Sequence, residues 1–424
     1  EAVRLMRTNV SLLSPPALIC FCWTLTFFVA GCALFLPDVF DLLPVFMARE
    51  DLSTDGFSVL GSVWIALCLF VYLTVDFAVK TVLSPNPTAR VPLDVNRAAL
   101  LCFRTNLLLL GVTAIWIATT AQSVGGIRAL AALVYLDSLG ARDLLLQNKL
   151  FTGMRLFYAA LPATGAMAAI LLALQARCPL SQKSRRLCQI TFAINLIALL
   201  MLPIVMSQRL LLLQFLLSAY IGVCMVRGRF VGLAYLPLGL FLFLATWVLR
   251  EAITNPSLDR SAFDIGLQKL AFYFVNDLWN SYRPLQSEIS HTFGMFSLRG
   301  LLFFSFTDGY FATLLSDRLI AIEDVRGGGD FSIFTAPYVD FGPVIGVVCV
   351  ALMAAVFRYA YWAGSQSPLG ALVYGQIAAS LLFSTHGTYF THHNFFFSLI
   401  ILASLCHLSR QARHGPRYGA QHHV

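Results

Sequence analysis

Three observations predict an all-α polytopic membrane protein. Apolar residues make up 58% of the 424 positions and charged residues only 12%, with a mean hydropathy of +0.76; soluble domains run to roughly 45–50% and 25%. The apolar residues gather in runs of about 20, long enough as helices to cross a hydrocarbon core of about 30 Å. No run alternates apolar with polar residues as the strands of a membrane barrel do. Spans are predicted, in order, near 17–36, 57–79, 98–119, 153–175, 187–206, 210–226, 230–249, 336–357, 370–389 and 394–408. These ten helices, with a large outer loop between the seventh and eighth, divide the chain into four parts. Helices 1–7 occupy 1–249, a cap loop 250–335, helices 8–10 336–409, and a basic tail 410–424.

Charge predicts the orientation. With the N-terminus cytoplasmic, the inner segments hold fifteen Lys/Arg against three acids, Glu1, Asp76 and Asp94, whereas the outer segments hold twelve against eighteen. Arg104 and Arg155 fall within or beside spans. Short basic inner loops follow the positive-inside rule, so the formal net charge of +8 reads as an orientation signal with both termini cytoplasmic. The cations are scattered among loops, which makes membrane lipids expected neighbours and nucleic acid an unexpected one. All ten cysteines lie in spans or cytoplasmic segments and none forms a CxxC pair, so neither an outer disulfide framework nor a thiolate zinc site is expected.

Between spans, the outer segment 120–152 interleaves Ile127, Leu130, Ala131, Val134, Leu144 and Leu145 with Arg128, Asp137, Arg142 and Asp143, the pattern of a helix lying along the interface. Segment 250–335 is too polar to span and too aromatic for a disordered tail, and is expected to fold back as a cap. Within it, Leu301 to Phe306 is apolar but too short to cross, so an interfacial or re-entrant piece is expected. Gly327, Gly328 and Gly329 read as a flexible hinge. No internal repeat of the transporter kind is found.

Four features of the outer side could carry chemistry. Ser207-Gln208-Arg209 separates two apolar runs with almost no room for a loop, which puts Arg209 at the surface, suited to an anion or to snorkelling. Arg283 and Arg299 lie among aromatics, and guanidinium groups bind phosphates bidentately. His386, His392 and His393 supply groups that titrate near neutrality, the usual general bases, at a spacing that matches no standard zinc motif. Finally, Asp330 and Asp340 flank an aromatic turn. A charge at the bilayer centre costs roughly 2.5–3.5 kcal/mol, so both are expected at the interface or in a wet cavity, where they could orient or deprotonate a hydroxyl. Pro337, Tyr338 and Gly342 read as turn, interfacial anchor and close helix packing. His291 and Glu288 are further base candidates.

The ten-helix plan, the large outer loop, Ser207-Gln208-Arg209 between spans five and six, and Pro337-Tyr338-Val339-Asp340-Phe341-Gly342 leading into a helix resemble the Wzy-type oligosaccharide repeat-unit polymerases of bacterial O-antigen and capsule assembly. The resemblance covers most of the chain in layout and is sharp over about thirty residues. The related O-antigen ligases carry a His-Asn pair shortly before the corresponding helix, where this chain reads Asp330-Phe331-Ser332, which favours the polymerase. The resemblance implies a GT-C-like architecture and a metal-independent, cofactor-free inverting glycosyltransferase of the bacterial inner membrane. Its donor and acceptor would be undecaprenyl-diphosphate-linked repeats at the periplasmic leaflet, with a chain-length regulator as a candidate partner. On this footing Arg209, Arg283 and Arg299 are expected at the diphosphate, and Gln208, Asp330 and Tyr338 complete the substrate-binding set. His386, His392, His393 and Asp340 compete for the role of base. An O-antigen ligase, another lipid-linked glycan transferase and a transporter or flippase of lipid-linked sugars are the alternatives.

Overall fold

The computed structural model describes residues 10–83, 93–206, 210–254 and 260–410, and among these residues it contains helices and no strand. In chain order the first nine helices are α1 (Pro15–Phe35), α2 (Leu43–Arg49), α3 (Val59–Val82), α4 (Val95–Ser123), α5 (Ile127–Leu136), α6 (Ser138–Gln147), α7 (Met154–Ala159), α8 (Leu161–Leu174) and α9 (Gln182–Met206). They are followed by α10 (Leu210–Arg227), α11 (Leu236–Thr254), α12 (Ala262–Tyr282), α13 (Arg299–Phe304), α14 (Asp308–Leu314), α15 (Ser316–Glu323), α16 (Thr335–Gln366), α17 (Pro368–Leu381) and α18 (His393–Leu408). Among the described residues, eight stretches are long and apolar enough to cross a membrane: α1, α3, α4, α7 with α8, α9, α10, α11 and α16. The chain is therefore a polytopic helical membrane protein.

Local chemistry sets several boundaries. Side-chain oxygens cap the free N–H groups that begin a helix: Ser58 accepts from Gly61 at 3.1 Å, Asp94 from Asn96 and Arg97 at 3.0 Å, and Ser367 from Gly370 at 3.0 Å. At the centre stands α8, buried on nearly every side. Its alanines and Gly165, where an added Cβ would lie 2.4 Å from the Phe215 ring, let α10 approach closely, as small residues do between membrane helices. From α10 the packing continues through α17 and α16 to α3.

The predicted span 370–389 is shorter than expected. Helix α17 stops at Leu381; Ser384, Thr385 and His386 follow in turns, and Gly387 and Thr388 in irregular chain. Polar side chains and glycine compete with helical hydrogen bonding there. Segment 120–152, expected as one interfacial helix, contains two short helices, α5 and α6, which bury Leu130, Val134 and Leu145. The cap also differs from expectation. Its first part, α12, is a 21-residue helix that packs on α1, α2 and α11. In its first half the Gln268 side chain bonds to Asp41 and the Leu42 N–H, and at its end the Tyr282 hydroxyl lies 2.9 Å from Ser62. Helix α12 thus crosses one end of the bundle, hereafter the cap end.

The triple glycine is not a hinge. Gly327 donates its N–H to Asn280 Oδ1 at 2.8 Å, the Asn276 amide donates to the Gly328 carbonyl, and Gly329 has φ +133°. A Cβ on Gly327 would meet Asn276 Oδ1 and Leu52 at 2.6 Å. Glycine is present because the chain must pass close against α12.

Inside α16, Gly342 adopts φ +80° and ψ −178°, a conformation other residues reach only with strain, and Pro343 follows. Proline cannot donate to the carbonyl four residues back. The released Val339 carbonyl takes the Thr292 N–H at 3.4 Å with His291 Nδ1 at 3.2 Å, and the Asp340 carbonyl takes the Phe293 N–H at 3.0 Å. A Cβ on Gly342 would lie 2.9 Å from His291 Nε2. Gly342→Ala is expected to cost about 1–3 kcal/mol of stability, read as a lowered unfolding midpoint in detergent; an unchanged midpoint would show that the kink relaxes freely.

Asp76 and Arg358 are not loop charges. They form a buried ion pair between α3 and α16, with Arg358 Nε at 2.8 Å from Asp76 Oδ1 and side chains only 5% and 7% exposed. Neither belongs in the charge balance that predicts orientation.

Candidate functional site

Beneath α12, at the cap end, lies a cavity of about 840 Å³, within the usual range for ligand sites of roughly 300–1,000 Å³. Its wall has two chemically distinct parts. One is apolar, built from α1 (Phe21, Leu25), α10 (Leu213, Leu217) and α11 (Leu240, Phe243). Phe21, Leu25, Leu240 and Leu267 line the cavity and are also exposed, so this wall is continuous with the outer apolar surface of the bundle. The other is polar: Asp277, Asp330, His386, His392, Asn394, Arg142 and Arg155.

His386 reaches the polar end from the turns that close α17, where its N–H and that of Gly387 both bond to the Phe383 carbonyl. Thr385 beside it receives the Thr26 hydroxyl at 3.2 Å, which pins the turn to α1. His386 Nδ1 lies 2.6 Å from Asp277 Oδ1. An ionised carboxylate only accepts, so the ring donates from Nδ1 and leaves Nε2 as the proton acceptor. The rings of Tyr273 and Tyr389 flank the imidazole at 5.8 and 6.2 Å between centroids. Asp277 itself comes from α12, where Asn276, Asp277, Asn280 and Ser281 form a buried polar stripe in an aromatic helix.

Asp330 sits on the strap between the triple glycine and α16. Arg299 grips it with both guanidinium nitrogens, at 3.1 and 3.4 Å, and Arg326 lies at 3.9 Å. Burial alone would raise the Asp330 pKa. The Arg299 charge and hydrogen bonds, helped by Arg326, outweigh that and hold it below the usual carboxylate range. Behind it, the His392 and His393 rings lie 3.8 Å apart, and His393 also packs on Phe303 at 5.0 Å. Among the described residues no three His, Cys, Asp or Glu side chains cluster as metal ligands.

Of the residues singled out in the sequence, the structure brings His386, His392 and Asp330 together on the cavity wall and places Arg299 directly behind Asp330. His393 stacks on His392 without lining the cavity. Asp340 is a correction. It is fully buried away from the cavity, and its carboxylate already accepts the Thr292 hydroxyl and the Ser297 N–H at 2.5 Å and the Phe296 N–H at 3.2 Å, so it holds the 292–297 turn. Tyr338 is a second correction: its ring packs on Trp64 at 5.2 Å and His291 at 6.4 Å, outside the cavity wall. Arg283 lies on the turn that ends α12 and is likewise absent from the wall. Gln208 and Arg209 lie outside the described residues.

Sequence reasoning missed Asp277 and the placement of Arg142 and Arg155. The only signal for Asp277 was the recurrence of Asn276, Asp277 and Asn280 along one side of an aromatic helix. Comparisons with family models, curated proteins and solved structures found no match to this chain.

Proposed function

We propose that the protein is a membrane glycosyltransferase that joins undecaprenyl-diphosphate-linked oligosaccharide repeats, a polymerase of the Wzy type. The observation that carries this reading is one cavity that unites a His–Asp pair and two arginines with an apolar wall continuous with the lipid-facing surface. An amphiphile with an anionic head and a long hydrocarbon tail matches those parts.

On this reading His386 Nε2 takes the proton of the acceptor's sugar hydroxyl as that oxygen attacks the anomeric carbon of the donor, and Asp277 stabilises the imidazolium that results. The bond between anomeric carbon and diphosphate breaks, and its electron pair leaves with the phosphate oxygen. Arg142 and Arg155 offset the charge there. Attack from the face opposite the leaving group inverts the anomeric centre. The same reading makes the bundle GT-C-like with ten crossings, sets it in the bacterial inner membrane with the cap end periplasmic and both termini cytoplasmic, and admits a chain-length regulator as a partner.

The test is reconstitution of the purified protein in nanodiscs with a synthetic undecaprenyl-diphosphate repeat unit. A ladder of lipid-linked polymer is expected. Transfer only onto a lipid A–core acceptor would make the protein a ligase, and movement of the lipid-linked sugar across vesicles without a new glycosidic bond would make it a flippase.

A further inference from the structure

His392 has one nitrogen committed to the fold and the other free to face the cavity. Its Nδ1 accepts the Asn394 N–H at 3.3 Å and so caps α18, while its ring lines the polar end of the cavity. An imidazole nitrogen that accepts carries no proton, so the neutral ring holds its proton on Nε2. Protonating Nδ1 would break the cap and set a cation at the positive end of a 16-residue helix. Burial, the His393 ring and the Arg299 and Arg155 charges push the pKa down to about 3, against the opposing pull of Asp330. From pH 5 to 8 the ring is therefore an uncharged N–H donor that cannot serve as a base. The two histidines of the cavity have different partners: the His386 ring bonds to the Asp277 carboxylate, whereas the His392 ring caps a helix N-terminus.

We propose that His392 donates its Nε2–H to a phosphate oxygen of the lipid diphosphate, and so acts as the counterpart of His386 and not its rival. This rests on the polymerase reading. Arg142 and Arg155 share the cavity wall with His392, and the Asp330 carboxylate there is already matched by Arg299 and Arg326, so an anion is the favoured ligand at this end. Asn394 belongs to the same wall, and its Oδ1 is buried with no hydrogen-bond partner among the described residues, an acceptor that a sugar hydroxyl beside the phosphate would satisfy. When the anomeric bond breaks, the electron pair goes to the phosphate oxygen and the His392 proton stays on nitrogen. The interaction strengthens as charge develops and needs no proton transfer.

Undecaprenyl diphosphate binding to the full-length protein in nanodiscs tests this. His392→Asn keeps an oxygen to cap α18 but does not reach the Nε2 position, and its Kd is expected to rise about tenfold. His392→Gln presents an amide N–H near that position and should stay within about threefold of wild type. In ¹⁵N-histidine spectra the His392 ring should remain neutral with its proton on Nε2 at pH 6. Wild-type affinity in His392→Asn, an equal loss in His392→Gln, or a charged or Nδ1-protonated ring would each overturn the donor role and leave the polymerase reading standing. Wild-type protein that binds no undecaprenyl diphosphate would overturn both.

Discussion

His386→Ala is expected to lower polymerisation roughly 10²–10⁴-fold, the usual contribution of a general base. Among the described lining residues, the His386 imidazole is oriented by a buried carboxylate, since Asp277 holds its Nδ1 at 2.6 Å. Asp277→Asn should leave the ring in place and still reduce the rate, because an amide oxygen can accept from Nδ1 but no longer stabilises the imidazolium. Initial rates at saturating lipid-linked repeat, with protein level and unfolding midpoint as controls, make the comparison. Near-wild-type turnover in His386→Ala would move the base elsewhere. His392 could not replace it, because its pKa of about 3 keeps it from gaining a proton between pH 5 and 8.

Arg358→Met carries the second large effect, on stability. It would strand Asp76 in the bundle, and removing one partner of a buried ion pair costs about 3–5 kcal/mol. Arg358 also packs on the Tyr361 ring, 5.3 Å from its centroid, so some packing is lost as well. The double variant Asp76→Leu with Arg358→Met removes both charges and should recover most of the loss. Denaturant or thermal unfolding in detergent reads both variants. Equal destabilisation in single and double variants would show that packing around the pair, and not its charge, holds α3 to α16.

Much of the bundle was legible from the sequence because burial in a membrane demands long apolar runs, and those runs are local. The first seven predicted spans correspond to helices α1, α3, α4, α7 with α8, α9, α10 and α11. What was not legible depends on partners distant in the chain. Helix α12 was hidden because its stripe of Asn276, Asp277 and Asn280 lowers its hydropathy, and the stripe makes sense only against the strap some fifty residues later. His386 was visible as a candidate, whereas its partner Asp277 lies 109 positions away. Asp340 looked chemical in the sequence because it closes an aromatic turn at the entry to a span, whereas Asp277, also among aromatic residues, has no such landmark. A carboxylate beside aromatic residues advertises a site, but only the three-dimensional surroundings show that its oxygens are already committed to the Thr292 hydroxyl and two backbone N–H groups.

The stitching of the glycine strap to α12 has a mechanical consequence. Two asparagine amides fasten 327–328 to that helix, the Ile333 N–H bonds to the Ser384 carbonyl at 2.8 Å, and the Thr335 hydroxyl bonds to the Ser281 carbonyl at 2.9 Å. Asp277, Asp330 and His386 therefore ride on a single braced block, and the exposed lining side chains Phe21, Leu25 and Leu240 take no part in its hydrogen bonds. On the polymerase reading, an isoprenoid chain can displace those side chains without altering the spacing of His386 and Asp277. Tails of different length or saturation should then change how quickly the protein loads, and leave the rate of the bond-forming step untouched.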